Sequence, residues 1–178
     1  YTLLKSDFGQ LNITAAVSDG MHIEQYFQMD GGTVSISGTG GDGIDVSVTK
    51  DPTDEFNGQA FINGGTLSLR VTADDVKGLK TENTLTVSGG DIYAEVAGLG
   101  TKGFSVGTDL LINQASGNAT SIRMDVTGTT YMPDDPDLES KCRGMKIKGN
   151  YTFDGGNISM NVTGKKAKGI SCDGTYTY

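Results

Sequence analysis

Tryptophan is absent from this sequence of 178 residues, histidine occurs once, cysteine twice and proline three times. Each shortage excludes something. A single histidine, His22, leaves no confident way to assemble a Ser/His/Asp or Cys/His triad, and a lone outward histidine is ordinarily a surface residue. Cys142 and Cys172 fall at different phases of the repeat described below, so stacking does not align them and two separate thiols are expected. No apolar run approaches the ~18 residues of a membrane span. No secretory leader is visible. The chain opens at Tyr1 inside strand-like sequence and stops at Tyr178 in mid-cycle, as a mature or trimmed chain would. Cations are also in deficit: 14 Lys and Arg against 22 Asp and Glu give a net charge of -8, which argues against a general nucleic-acid binder.

Glycine is what the sequence has in quantity, with 27 residues, and it is periodic. A Gly-apolar pair recurs as Gly20-Met21, Gly43-Ile44, Gly78-Leu79, Gly103-Phe104, Gly144-Met145 and Gly169-Ile170, at gaps of 23, 35, 25, 41 and 25 residues. A second column lies half a cycle away: Gly31-Gly32, Gly64-Gly65, Gly89-Gly90, a degenerate Ser116-Gly117, and Gly155-Gly156. Between the columns stand short alternating runs rich in β-branched and apolar residues, of which Thr66 to Val71, Leu79 to Thr81 and Thr84 to Ser88 form the clearest cycle. Two interleaved columns at one period predict stacked units that bury their apolar faces only on their neighbours.

The expected fold is therefore all-β: a single domain over residues 1–178, built as a right-handed parallel β-helix of about six coils with three short strands per coil. An antiparallel sandwich does not require one glycine phase to persist along the chain. The phase predicts the interior. Met21, Ile44, Leu79, Phe104, Met145 and Ile170 form one ladder. Ile23, Val46, Thr81, Val106, Ile147 and Cys172 form the next. Val34 with Ile36, Leu67 with Leu69, Ile92 with Ala94, Ile122 with Met124, and Ile158 with Met160 line another wall. Glycines at the corners are expected to permit tight turns. Aromatics such as Phe27, Phe61, Tyr151 and Phe153 fall on the third-strand phase and are expected to be mostly core. The two long gaps contain insertions at about 50–59 and 127–140 whose Pro, Asp and Gly content marks exposed loops.

The charged residues follow the same columns. The position before the glycine reads Asp19, Asp42, Lys77, Lys102, Arg143 and Lys168, and the position two after it reads His22, Asp45, Lys80, Ser105, Lys146 and Ser171. With both positions facing outward, the first two rungs carry an acidic patch and the last four a basic stripe. Seven of the 14 Lys and Arg lie between Lys141 and Lys168. Like charges about 5 Å apart repel by about 0.8 kcal/mol in water. A ladder of them is tolerated if solvated, interleaved with acids such as Asp134, Asp135 and Asp137, or matched to a polyanion. The functional form of the last case is a groove for an acidic polysaccharide along Lys77, Lys80, Lys102, Arg143, Lys146 and Lys168. Asp42, Asp45, Asp74 and Asp75 offer the oxygen ligands that calcium takes. Lyase chemistry would need calcium beside an Arg or Lys base, for which Arg123 and Arg143 are only nominal candidates.

The stretches GGTVSISGTGGDGIDV at Gly31 to Val46 and KGLKTENTLTVSGGDIYAEV at Lys77 to Val96 resemble the bacterial carbohydrate-binding β-helix domains related to polysaccharide lyases. The resemblance implies a right-handed parallel β-helix, calcium sites, and binding of plant cell-wall or pectin-type acidic polysaccharide without established cleavage, in a secreted or cell-surface protein. The change from Asp to Lys or Arg before the column glycine shifts the later rungs toward direct contact between cation and carboxylate. The alternatives are a polysaccharide lyase on the same scaffold and a structural or adhesive surface module.

Overall fold

A computed structural model describes residues 2–6 and 8–178, with side chains from Phe8 onward; Tyr1 lies outside the described residues. In chain order the strands are β1 (Thr2–Ser6), β2 (Gln10–Ile13), β3 (Met21–Met29), β4 (Thr33–Ser37), β5 (Ile44–Ser47), β6 (Gln59–Val71), β7 (Lys77–Thr81), β8 (Leu85–Val96), β9 (Lys102–Val106), β10 (Leu110–Asn113), β11 (Thr120–Val126), β12 (Arg143–Ile147), β13 (Tyr151–Asp154), β14 (Asn157–Val162), β15 (Lys168–Cys172) and β16 (Tyr176–Thr177). One short 3-10 turn, Pro136–Leu138, is the only helical element among the described residues.

Every pairing between these strands is parallel, and the pairings fall into three stacks. The first runs β3-β5-β7-β9-β12-β15. The second runs from β1 through the far half of β3 to the near halves of β6 and β8, then β10, β13 and β16. The third runs β2-β4-β6-β8-β11-β14. The chain thus returns to each wall one rung further on, which is the solenoid that the glycine period implied.

All three expected interior ladders are in register. Met21 pairs with Ile44, Ile44 with Leu79, Leu79 with Phe104, Phe104 with Met145 and Met145 with Ile170. Ile44, Leu79, Phe104 and Met145 are fully buried, each side chain contributing about 1.5–3 kcal/mol of transfer free energy. At the two ends of the ladder Met21 is half-buried and Ile170 is 38% exposed, no described rung lying beyond β15 to cover it.

The glycine columns do two different jobs. At Gly103 a Cβ would stand 2.6 Å from the Gly144 carbonyl oxygen of the next rung, and Gly43, Gly78 and Gly144 face the same obstacle. The first column is thus about close approach between rungs rather than turning. Turning belongs to the second column, where Gly65 and Gly90 take φ of +84° and +97° and let β6 and β8 run through a corner without breaking.

The insertions leave the stack as expected, with small boundary changes. Gln59 belongs to β6 and pairs with Tyr26, so the first excursion ends one residue earlier. Asn57 holds that loop, receiving the Thr49 N–H at 2.8 Å and donating to the Asp51 carbonyl at 2.9 Å. The second occupies residues 127–142 and is pinched by an antiparallel bridge between Tyr131 and Ser140. Both cysteines are free thiols, Cys142 buried and Cys172 in the second ladder beside Ile147. Phe27 and Tyr151 are core, whereas Tyr26, Phe56 and Phe61 form an edge-to-face trio on the outside of the second stack.

Candidate functional site: a cationic edge

The first stack places the predicted cations in register: Lys77 opposite Lys102, Lys102 opposite Arg143, and Arg143 opposite Lys168. Rungs spaced about 4.8 Å apart hold these four charges in a row along one corner. The second column also aligns, with His22 beside Asp45, Asp45 beside Lys80, and Lys146 between Ser105 and Ser171.

The two columns are not equally outward. Strand alternation gives Lys77 the parity of buried Leu79, and Lys80 the opposite parity. The residue before the column glycine escapes the core only because it opens the strand at a corner, where its side chain folds back. Lys77 Nζ donates to the Asp75 carbonyl at 2.6 Å, and Lys102 Nζ to the Gly100 carbonyl and Ser140 Oγ, both at 2.8 Å. Arg143 is 7% exposed, so the expectation that it faces outward is corrected: Glu139, Ser140 and Lys141, at the end of the second excursion, wall the clefts that it lines.

Charge compensation is uneven along the ladder. Lys80 lies 3.1 Å from Asp45 and 3.4 Å from Glu82. Burial disfavours its charge, yet these carboxylates outweigh that and raise its pKa. Asp75 lies 3.8 Å from Lys77 and 3.7 Å from Lys102. Burial, with Lys77 and Arg143 nearby, keeps Lys102 below the ordinary lysine value. Lys146 pairs with Asp173. Arg143 is different. Its guanidinium makes one hydrogen bond, from Nη1 to the Cys142 carbonyl at 2.7 Å, and among the described residues no carboxylate lies within 4.0 Å of it; burial pushes its pKa down. Two clefts of about 260 and 500 Å³ meet at Arg143, Lys141 and Glu139, the first reaching Lys102 and Lys146, the second Lys166 and Lys168.

The four aspartates proposed for calcium do not converge on one point. Asp42 accepts the Lys77 N–H at 2.7 Å, and burial raises its pKa against that bond. Asp74 accepts the Leu99 N–H at 3.0 Å, and Asp75 serves the two lysines. Asp19 and Asp109 likewise receive backbone N–H groups of the following rung, from Asp42 at 2.7 Å and Asn150 at 2.6 Å. These aspartates stitch corners together. The side chains that do converge are Asp19, His22 and Asp45, with donor atoms within 4.8 Å of one another. His22 Nδ1 is 3.0 Å from Asp45, which also holds Lys80. One nitrogen and two carboxylates, one of them ion-paired, are a poor match for calcium's oxygen-only shell.

Arg123, the other nominal base, lies on the third stack, where it pairs with Asp125 at 3.1 Å and covers the Tyr93 ring at 5.1 Å. It shares no site with Arg143. Fold and edge together define a solenoid of parallel strands that displays cations at rung spacing beside two open clefts. The chain belongs to the family of carbohydrate-binding domain-containing proteins, which it matches over residues 3–177. No curated protein and no solved structure matches it. No helix among the described residues is long and apolar enough to cross a membrane.

Proposed function

We propose that this carbohydrate-binding domain takes an acidic, pectin-type polysaccharide along the edge marked by Lys77, Lys80, Lys102, Arg143, Lys146 and Lys168, without cleaving it. The observation that carries the reading is the in-register ladder Lys77-Lys102-Arg143-Lys168 on a chain of net charge -8. Aligned cations repel one another at a cost that a polymer with repeating carboxylates removes. The scaffold in this reading is a right-handed parallel β-helix, because crossovers between parallel strands are right-handed in nearly every known case. A location outside the cell or on its surface, where such polymers are met, is part of the same proposal. Any calcium assistance belongs, in this proposal, to the acidic rungs around Asp42 and Asp45.

Binding to polygalacturonate and to cellulose, measured side by side with and without EDTA at low and high salt, tests this. Tight, salt-sensitive binding to the acidic polymer that survives EDTA supports the cationic edge. Binding abolished by EDTA moves the site to the acidic rungs. Unsaturated-product absorbance that depends on calcium would show a lyase, and binding to neither polymer would remove the reading.

A further inference from the structure

The cations of this edge do not form a uniform rail. Lys77, Lys80, Lys102 and Lys146 each stand within 4.0 Å of a carboxylate. Among the described residues Arg143 and Lys168 have no such partner, and of the two Lys168 is exposed whereas Arg143 is buried. A guanidinium carries five N–H donors in a planar fork, and one of these meets the Cys142 carbonyl. Its remaining nitrogens are not among the enclosed, unpartnered polar atoms of the described residues; they open into the clefts that Arg143 lines. A largely buried side chain that ends in a cation is normally given a counter-ion, because burying charge without one is costly. Around this one the clefts hold Lys102, Lys141, Lys146, Lys166 and Lys168 against the single carboxylate of Glu139, itself 3.9 Å from Lys141.

The walls of the clefts are organised. Lys102 and Lys168 flank Arg143 in register on the rungs below and above. The roof is the end of the second excursion, where Tyr131 N donates to the Ser140 carbonyl at 2.8 Å and Ser140 N returns the bond at 3.1 Å. Ser140 Oγ accepts from Lys102 and donates to the Gly100 carbonyl, tying the roof to the ladder.

Building on the acidic-polysaccharide reading, we infer that Arg143 is the anchor of a discrete oxyanion pocket under residues 139–142, which takes the carboxylate of a single uronic-acid residue. A planar fork matches the two oxygens of a carboxylate, a geometry that a lysine ammonium does not reproduce. The neighbouring lysines then supply a positive field around one fixed point rather than a series of equivalent subsites.

The test is calorimetric titration of the whole domain with trigalacturonate, with a neutral trigalactoside and with a sulfated trisaccharide, alongside polygalacturonate. The variants are Arg143→Lys, Arg143→Gln and, as a control that removes the same charge from the third stack, Arg70→Gln. Saturable one-to-one binding of trigalacturonate is expected, weakened about 10-fold by Arg143→Lys and about 100-fold by Arg143→Gln, with Arg70→Gln within about 2-fold. Arg143→Lys keeps the charge, so its unchanged melting temperature separates a binding loss from unfolding. Equal affinity of Arg143→Lys and the parent domain would overturn the pocket while leaving the cationic edge intact. Preference for the sulfated sugar would overturn the carboxylate assignment. Failure of the parent domain to bind either trigalacturonate or polygalacturonate would instead remove the acidic-polysaccharide reading itself.

Discussion

Replacing Gly103 by alanine perturbs the stack at a close contact that recurs along the first glycine column. The added Cβ would stand 2.6 Å from the Gly144 carbonyl oxygen, 3.0 Å from Met124 Sδ and 3.3 Å from Met124 Cε. Methionine can turn aside, but the carbonyl cannot, because Gly144 lies within β12, whose flanking residues Arg143 and Met145 pair with Lys102 and Phe104 of β9. An ordinary contact requires the rungs to separate by roughly half an ångström or more, weakening ladder bonds on both sides. Overpacking of this kind costs about 3 kcal/mol. At a urea slope of about 3 kcal/mol/M the midpoint falls by about 1 M. Gly169→Ala is the internal control: it occupies the same column, but its nearest neighbours are Met160 Sδ at 3.2 Å and Val162 Cγ2 at 3.7 Å, with no carbonyl in the way. It is expected to cost less than about 1 kcal/mol. Urea titration followed by far-ultraviolet circular dichroism reads both. Equal shifts for the two variants would refute the reasoning, since they would show that the column needs glycine for its backbone conformation rather than for room.

Leu79→Ala empties a site flanked by Ile44 and Phe104 in the fully buried ladder, and a loss of about 3 kcal/mol is expected from the same titration. Asn57→Ala removes the bonds that hold the first excursion, so faster limited proteolysis within residues 50–58 is expected with little change in the global midpoint. Asp42 gives a pH test. Its raised pKa means that the folded state holds the proton more tightly than the unfolded chain, so stability falls as pH rises through the window just above 3.8. Asp42→Asn keeps an oxygen for the Lys77 N–H and removes that slope. The variant should therefore gain stability relative to the parent as pH rises across the window, and a constant difference would contradict the burial assignment.

Periodicity made the core legible. Each residue of the Met21-to-Ile170 ladder was placed by counting from a glycine, because parallel stacking turns sequence phase directly into spatial register. The alignment of Lys77, Lys102, Arg143 and Lys168 was legible for the same reason. What phase does not carry is the course of a long side chain at a corner. Lys77 and Lys102 share the parity of core residues and fold back onto backbone carbonyls, which the Gly-apolar spacing alone does not show. The burial of Arg143 depends on how residues 127–142 pack, and an aperiodic excursion leaves no register to count. The aspartates have a structural role that phase alone does not show. Asp42 and Asp74 look like oxygen ligands, but at a solenoid corner the nearest donor is a backbone N–H one rung away, and the carboxylate takes it. The recurrence of Asp at the turns is the signal for that role.

Amide chemical-shift mapping of the isotope-labelled domain with trigalacturonate tests the central claim most directly, because it locates the ligand without any substitution. The account predicts that the perturbed amides cluster at Lys102, residues 139–143 and Lys166 to Lys168, with Lys77 and Lys80 affected less. Perturbations centred on Asp19, His22 and Asp45, or on the Tyr93 and Arg123 face of the third stack, would contradict it.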